Sequence, residues 1–294
     1  MNCEEWQNLG TFTTVLTYNI FVIDKGKSTT TLAILHGFPT ASFDFYKVIN
    51  QLSEHYRVVI HDHLGFGFSE KPNVDLYRLN TQADIAEKLW SQLNVGDLII
   101  LAHDYGTSVA TELLARNNKN KLKVNLKGMV LCNGSIHIEL AKLKYIQKLL
   151  KSKFFGSIVA KFASQNSFKR TMKSIFYDGS KLSQEEIETM WLLLTNNDGK
   201  RVLPKIAHYI DERYTFWNRW IGALKETNLT IGLVWASEDP IAVSAIAQQL
   251  ASEIKNSRLF WLNNTGHYPM LENPNLWCDL VFKALDSIEN QPLE

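Results

Sequence analysis

Asp104 is the side chain in this sequence with the clearest capacity for chemistry, and it stands at the centre of the segment 102–106. The apolar run 95–101 before it predicts a strand, and residues 107–114 after it predict a helix. A strand, a tight turn of small residues around one reactive side chain, and a helix are typical of a nucleophile elbow. A carboxylate is already ionised at neutral pH, so it needs no base to activate it. We therefore expect Asp104 to attack a saturated carbon and form an alkyl ester, which an activated water must then hydrolyse.

Two further residues are of the types that such an ester hydrolysis requires. His267 follows the apolar run 258–262, and Asp239 follows the apolar run 231–236. His267 would deprotonate the water, while Asp239 would hold the second ring nitrogen and stabilise the histidine cation. The sequence thus predicts a catalytic triad of Asp104, Asp239 and His267.

The negative charge that develops on the ester oxygen needs hydrogen-bond donors beside this turn. The segment His36-Gly37-Phe38-Pro39 directly follows the apolar run 32–35, which brings the backbone N–H of Phe38 towards the nucleophile. The N–H of Tyr105, the residue after Asp104, supplies a second donor. We expect the Phe38 and Tyr105 amides to form an oxyanion hole.

Short apolar runs alternate with helical patterns along most of the chain, which predicts an α/β fold with a mostly parallel, doubly wound sheet. The runs are 30–35, 57–61, 98–101, 128–132, 231–236 and 258–262. Residues 12–23 predict an antiparallel edge pair. The alternation stops after residue 134, and residues 135–225 carry helical patterns rich in aromatic side chains. We predict a core in two parts, 1–134 and 226–294, with an inserted helical cap at 135–225 over the strand ends, where ligands bind.

Several motifs together give the chain a family resemblance. With the segments 36–40, 62–72 and 103–106, it resembles the α/β-hydrolase superfamily, in the branch of epoxide hydrolases and haloalkane dehalogenases. The segments 131–136, 196–199 and 219–224 are similar to those of the mesoderm-specific transcript family. The resemblance covers nearly the whole chain. It implies an α/β-hydrolase fold with a cap, the chain order nucleophile, acid, base, and hydrolysis through an Asp104 ester.

The chain departs from these enzymes at the positions that hold the leaving group. Haloalkane dehalogenases typically grip the departing halide with a tryptophan after the nucleophile and an asparagine in the His-Gly-x-Pro loop. This chain has Tyr105 and Phe38 there, and Phe38 offers no side-chain donor. Epoxide hydrolases protonate the epoxide oxygen with cap tyrosines, one of which usually follows a tryptophan, whereas Ile221 follows Trp220 here. The first departure disfavours halide release and leaves an epoxide or related apolar alkyl electrophile as the first choice. The second departure weighs against an epoxide, because the usual acid is absent at that position.

Other cap residues are candidates for the missing acid or for contact with the substrate. Tyr209 is the first choice, because it lies just upstream of the expected position, and Tyr214 and Trp191 are further candidates. Aromatic side chains in a cap serve more often for packing than for catalysis.

Composition and charge exclude several classes of partner. The formal net charge is +1, which argues against nucleic acid and against an acidic partner. The cysteines are far apart, and His61 and His63 lack a third neighbouring ligand, so we expect no metal and no cofactor. The chain starts without an apolar signal region, and no apolar run approaches the roughly 20 residues that span a bilayer. We therefore expect a cytoplasmic protein that binds a small apolar substrate and water.

The segment 140–177 of the cap is basic. It contains no Asp or Glu, and apolar residues recur beside its cations at near-helical spacing, a pattern typical of a basic amphipathic helix. Its cations are Lys142, Lys144, Lys148, Lys151, Lys153, Lys161, Lys169, Arg170 and Lys173. The pattern fits a solvated face of the cap, contact with an anionic membrane surface, or steering of an anionic substrate.

Different functions remain compatible with this sequence. The first is an Asp-nucleophile hydrolase of an epoxide or a related alkyl electrophile. A haloalkane dehalogenase is an alternative of the same class, and a ligand-binding receptor on a hydrolase fold is an alternative of another class. A screen of epoxides, haloalkanes and esters for turnover discriminates among them.

Overall fold

An eight-stranded sheet organises the protein, whose computed structural model describes residues 1–73 and 77–290. The strands are β1 (Thr11–Val15), β2 (Tyr18–Lys25), β3 (Thr30–Leu35), β4 (Arg57–His61), β5 (Asp97–His103), β6 (Asn125–Cys132), β7 (Thr230–Ala236) and β8 (Ser257–Leu262). Their order across the sheet is β1-β2-β4-β3-β5-β6-β7-β8. β2 pairs antiparallel with β1 and β4, and the other neighbours are parallel. The predicted α/β fold and its antiparallel edge pair are therefore confirmed.

The order of the strands determines where a ligand can bind. β3 lies between β4 and β5, so the chain leaves β3 towards one side of the sheet and returns to its other side. Ligands of open α/β sheets bind at the carboxyl ends of the strands beside such a switch point. The central strands β3, β5 and β7 are buried almost throughout, which explains why their sequences are continuous apolar runs rather than alternating ones.

Helices flank the sheet and follow most of the strands. In chain order they are α1 (Cys3–Gln7), α2 (Ile49–His55), α3 (Leu79–Gln92), α4 (Tyr105–Asn117), α5 (Tyr145–Leu150), α6 (Gly156–Phe162), α7 (Gln165–Lys173), α8 (Gln184–Thr195), α9 (Leu203–Ala207), α10 (Tyr209–Thr215), α11 (Trp217–Glu226), α12 (Ser244–Glu253), α13 (Pro269–Glu272) and α14 (Pro274–Glu289). Helix α4 packs on β3, β5 and β6, and α14 packs on β6, β7 and β8. Over residues 1–73 and 77–290, no helix combines the length and the apolar character needed to span a bilayer.

The segment between β6 and β7, all of it described, contains the helices α5 to α11 and no strand. Two local sequence patterns of this segment form the structures that they favour. Ser183 Oγ accepts the Glu186 N–H at 3.1 Å, and Glu186 Oε2 accepts the Ser183 N–H at 2.7 Å, which forms a capping box at the start of α8. Residues 196–199, whose Asn-Asn-Asp-Gly sequence favours a turn, contain Asn197 and Asp198 in left-handed conformations. The proposed division into a core and a cap rests on this segment. Residues 291–294, at the end of the predicted second core part 226–294, lie outside the described residues.

The basic segment 140–177 differs from the single amphipathic helix that its pattern predicts. The structure divides it into the short helices α5, α6 and α7. Helix α5 ends at Leu150, and the Ser152 hydroxyl then accepts the Phe155 N–H at 3.3 Å. A serine side chain that bonds the nearby backbone competes with helical hydrogen bonds, which explains the interruption.

Candidate active site

Asp104 occupies the turn between β5 and α4 in a conformation that few non-glycine residues adopt. Its φ is +43° and its ψ is −108°. Backbone strain of this kind persists where the surroundings enforce it, and it is concentrated at functional sites. Gly106 makes the turn sterically possible, since a Cβ at this position would lie 2.1 Å from the Leu35 carbonyl oxygen. The small residue beside Asp104 is therefore required by the close approach of β3.

One predicted oxyanion-hole donor already contacts the Asp104 carboxylate. The Phe38 N–H donates to Asp104 Oδ2 at 3.1 Å, and the side chain of Asp104 is almost fully buried. Tyr105 is the first residue of α4, so its N–H belongs to the group at a helix start that has no acceptor within the helix. A negative charge on Asp104 thus lies beside a backbone donor and the positive end of a helix.

His267 and Asp239 form a buried pair directed at this carboxylate. His267 Nδ1 lies 2.7 Å from Asp239 Oδ2, and His267 Nε2 lies 4.0 Å from Asp104 Oδ2. Asp239 Oδ1 accepts the backbone N–H groups of Ile241 and Ala242 at 2.7 and 2.9 Å. The acid is thereby fixed in place, and it selects the histidine tautomer that leaves Nε2 free to accept a proton.

Asn133, which the sequence reasoning missed, completes the support of Asp239. Its Nδ2 donates to Asp239 Oδ2 at 2.8 Å, and its Oδ1 accepts the Ala236 N–H at 3.1 Å. Asn133 follows β6 directly, as Asp104 follows β5 and Asp239 follows β7. This repeated position after a parallel strand was the sequence signal that could have identified it.

The environment shifts both members of the pair towards their charged forms. Burial alone would raise the pKa of Asp239, but the His267 ring and the hydrogen bonds to the carboxylate outweigh it and lower that pKa below its usual value. Burial alone would lower the pKa of His267, but Asp239 outweighs it and raises that pKa above its usual value. The pair is therefore suited to stabilise an imidazolium ion that forms during a reaction.

His103 holds the loop that carries His267. Its Nε2 lies 2.8 Å from the His267 carbonyl oxygen. Burial lowers the pKa of His103 to about 4, so its ring is neutral near pH 7 and donates this hydrogen bond from Nε2. His103 thus acts in positioning, as expected for a residue behind the elbow.

Arg213, a residue of α10 that the sequence reasoning also missed, brings a buried cation to Asp104. Its side chain is 1% exposed, its Nη2 donates to the Asp104 carbonyl oxygen at 3.0 Å, and the same nitrogen lies 3.7 Å from Asp104 Oδ1. Its Nε donates to Ser108 Oγ at 2.8 Å. Buried charges need such compensation, because an isolated charge in a low dielectric is very costly. Tyr209 and Arg213 are four residues apart, a spacing that places both on one face of a helix. This spacing was the sequence signal that could have identified Arg213 as a neighbour of Tyr209.

The structure brings Tyr209 to the site and leaves Tyr214 away from it. Tyr209 is fully buried, its ring centroid lies 5.4 Å from that of Phe38, and the Arg213 guanidinium lies 4.6 Å above it. Gln147 Nε2 donates to the Tyr209 hydroxyl at 3.3 Å. Tyr214 is 55% exposed on the same helix and does not line the cavity. Tyr105 turns its ring towards His63, Phe66 and Tyr209 and also stays outside the cavity lining.

A mostly apolar cavity of about 370 Å³ lies against His267, the one residue of the predicted triad that lines it. Phe38 and His267 line it from the core, and cap residues, among them Trp191, line the rest. Gln147 and Lys144 supply polar atoms to its wall. Its size and lining suit a small apolar ligand.

The histidines that could have indicated a metal lie behind this site and in contact with one another. The rings of His61 and His63 are 5.0 Å apart in an edge-to-face arrangement, and both are fully buried. Burial lowers the pKa of His61 to about 3. Within the described ranges, no three His, Cys, Asp or Glu residues are grouped so that they could hold a metal ion.

Comparison with known proteins agrees with this architecture. Residues 30–274 match a family model described as the alpha/beta hydrolase fold. LipZ of Mycobacterium tuberculosis, a hydrolase by name, is 36% identical over 281 residues, which cover 96% of this chain and 97% of LipZ. The mesoderm-specific transcript protein of Mus musculus is 33% identical over 279 residues, which cover 92% of this chain and 83% of that protein. The solved structure of haloalkane dehalogenase DbeA from Bradyrhizobium elkani has a TM-score of 0.80 at 20% identity and covers 95% of this chain and 98% of its own, a likeness of fold alone.

Proposed function

The chain belongs to the α/β-hydrolase family, and we propose that it hydrolyses an apolar epoxide or a related alkyl electrophile through a covalent ester of Asp104. One observation carries this proposal. At the elbow a carboxylate stands in place of a hydroxyl, and His267 Nε2 lies 4.0 Å from it. This distance is too long for a hydrogen bond, so the histidine nitrogen is free to bind a water instead of the nucleophile.

The first step forms the ester. A carboxylate oxygen of Asp104 attacks a saturated carbon of the epoxide, the carbon–oxygen bond of the ring breaks, and a nearby acid protonates the alkoxide. The Asp104 charge is held before attack by the Phe38 N–H and by the buried Arg213. The mostly apolar cavity would receive the apolar part of the electrophile beside His267.

The second step regenerates the carboxylate. His267 takes a proton from a water, and the resulting hydroxide attacks the ester carbonyl of Asp104. The Phe38 and Tyr105 amides stabilise the oxyanion, and its collapse expels the product alkoxide, which receives the proton from His267. The Asp104 carboxylic acid that this leaves then loses its proton, and the acid of the first step regains one. General-base help contributes about 10²–10⁴-fold and each oxyanion donor about 10²–10³-fold.

Tyr209 is our candidate for the acid of the first step. Burial raises the pKa of its phenol, so the group stays protonated near neutral pH and can donate to an alkoxide. Its hydroxyl contacts Gln147, which lines the cavity. Tyr209 thus lies directly behind the cavity wall, against the lining residues Gln147 and Phe38.

We expect the Tyr209→Phe substitution to lower epoxide turnover by about 10²–10⁴-fold, because it removes the acid and keeps the packed ring. Tyr214→Phe is the matched control, since Tyr214 lies half exposed on the same helix, and it should turn over epoxides at the wild-type rate. Initial rates of diol formation by both variants check this. Unchanged epoxide turnover in Tyr209→Phe would assign the acid to another residue.

We also expect ester hydrolysis to depend on pH through His267. Only the neutral ring accepts a proton from water, and the pKa of His267 is raised above its usual value of about 6.5. The decay of the ester in a single turnover should therefore slow as the pH falls and the His267 ring becomes protonated. Decay that is independent of pH between about 5 and 8 would contradict the role of His267 as the base.

A substrate screen tests the proposal as a whole. Epoxides, haloalkanes and simple esters are offered to one preparation, with Asp104→Ala as the blank. We expect epoxide opening and weak or no halide release, because the Phe38 ring cannot donate to a departing anion and the Tyr105 ring lies outside the cavity lining. Halide release without epoxide turnover would identify a dehalogenase, and turnover of esters alone would reject the alkyl-ester chemistry.

A further inference from the structure

Helix α6 buries its small residues and exposes its large ones. Gly156 and Ala160 are its buried positions. Phe154 lies in the turn before the helix, and Ile158 and Phe162, which are four residues apart, lie on one side of the helix. They are 85%, 53% and 77% exposed. An ordinary surface helix has the reverse arrangement, with its large apolar side chains facing the core.

Phe155, which is also exposed, adjoins these side chains, and we call Phe154, Phe155, Ile158 and Phe162 the α6 face. Soluble proteins rarely expose large contiguous apolar patches, and such patches often mark interaction sites. Aromatic rings at its edge and centre suit insertion among lipid headgroups and acyl chains.

The surroundings of the α6 face are positively charged. Lys148, Lys153 and Lys161 are exposed around it, and residues 141–176 contain no Asp or Glu. Lys200 reaches the end of α6 from the neighbouring turn and donates to the Lys161 carbonyl oxygen at 3.0 Å. The acidic groups on the adjoining elements are Asp211, which pairs with Lys151, and Asp198, which pairs with Arg201.

We propose that the α6 face docks on an anionic lipid bilayer. Its apolar stripe matches the acyl region, and the lysines around it match the negative surface potential of anionic headgroups, which attracts basic segments close to the membrane. A second copy of this chain is a poor occupant, because two lysine-rich rims would face each other.

The same helix connects the docking surface to the cavity. Val159 and Phe162 of α6 belong to the cavity lining, and Phe162 is also among the most exposed side chains of the α6 face. Docking therefore turns the rim of the cavity towards the lipid phase. Binding to a membrane goes beyond the proposed hydrolysis through Asp104 and does not depend on it. An experiment can therefore reject either proposal without rejecting the other.

Vesicle flotation of the full chain tests the proposal. We expect binding to phosphatidylcholine vesicles that contain phosphatidylserine, at least about tenfold weaker binding to pure phosphatidylcholine, and a loss of binding as salt is raised. The double substitution Phe154→Ser with Phe162→Ser should weaken binding by about tenfold or more on the anionic vesicles. Lys153→Gln with Lys161→Gln should weaken it by about 25-fold there, or about fivefold for each lysine.

Matched controls lie outside the cap. Leu16→Ser removes an exposed apolar side chain from the turn between β1 and β2, and Lys283→Gln removes an exposed lysine from α14. Both should bind vesicles as the wild type does. All substituted residues are exposed, and thermal melting verifies that every variant is folded. Wild-type protein that stays off anionic vesicles, equal binding by the phenylalanine variant, or self-association through the α6 face in sedimentation experiments would overturn the proposal.

Discussion

The variant His267→Gln is expected to accumulate a covalent ester on Asp104 when it is mixed with an epoxide that the wild type hydrolyses. Attack by Asp104 does not use the histidine, so the first step proceeds. Ester hydrolysis loses its general base and slows by about 10²–10⁴-fold. Intact-protein mass spectrometry should show an added mass equal to that of the epoxide, and peptide mapping should locate it on Asp104.

Two controls define this result. Wild-type protein quenched at the same time should carry far less adduct, and the double variant with Asp104→Ala should carry none. An adduct on Ser108, the serine of α4 that accepts the Arg213 Nε–H, would reject the mechanism. The absence of any adduct with a substrate that the wild type turns over would do the same.

The second large effect distinguishes a carboxylate nucleophile from a serine nucleophile. Asp104→Ala removes the attacking group and should lower kcat/KM by at least about 10⁴-fold. Ser108→Ala removes only the acceptor of the Arg213 Nε–H, a loss on the scale of one hydrogen bond, and should lower kcat/KM by no more than about tenfold. Both residues are buried, Asp104 directly before α4 and Ser108 in its first residues, so each variant removes a buried polar side chain close to the elbow.

Steady-state kinetics on the best substrate of the screen measure both effects. Thermal melting of each variant separates a loss of chemistry from a loss of folding. A collapse of activity in Ser108→Ala together with near-normal activity in Asp104→Ala would assign the nucleophile to serine.

The sequence was sufficient for the fold because its elements are specified locally. The buried strands read as continuous apolar runs, and the runs at 30–35 and 57–61 coincide with β3 and β4. Motifs directly after β3 and β5 then placed Phe38 and Asp104 at one edge of the sheet. The predicted family was confirmed by the matches to the family model and to the mesoderm-specific transcript protein.

The cap residues around the site could not be identified in the same way, because tertiary packing rather than local pattern determines their positions. Arg213 reads as an ordinary cation on an amphipathic helix, yet its helix carries it to Asp104 over more than a hundred residues of sequence. Tyr209 and Tyr214 have the same side chain and lie on one helix, but only the first is buried beside Phe38. The basic amphipathic pattern of segment 140–177 indicated a surface of this kind, but it did not reveal which of the apolar side chains face the core and which form the α6 face.

The central claim is that the oxygen added to the product comes from Asp104 and that water replaces it there. A single turnover with enzyme in excess, carried out in water enriched in oxygen-18, tests this claim most directly. We predict that the peptide containing Asp104 gains the heavy oxygen and that the product of this first turnover does not. Heavy oxygen in the first-turnover product, with none in Asp104, would show that water attacks the substrate directly and would contradict the account.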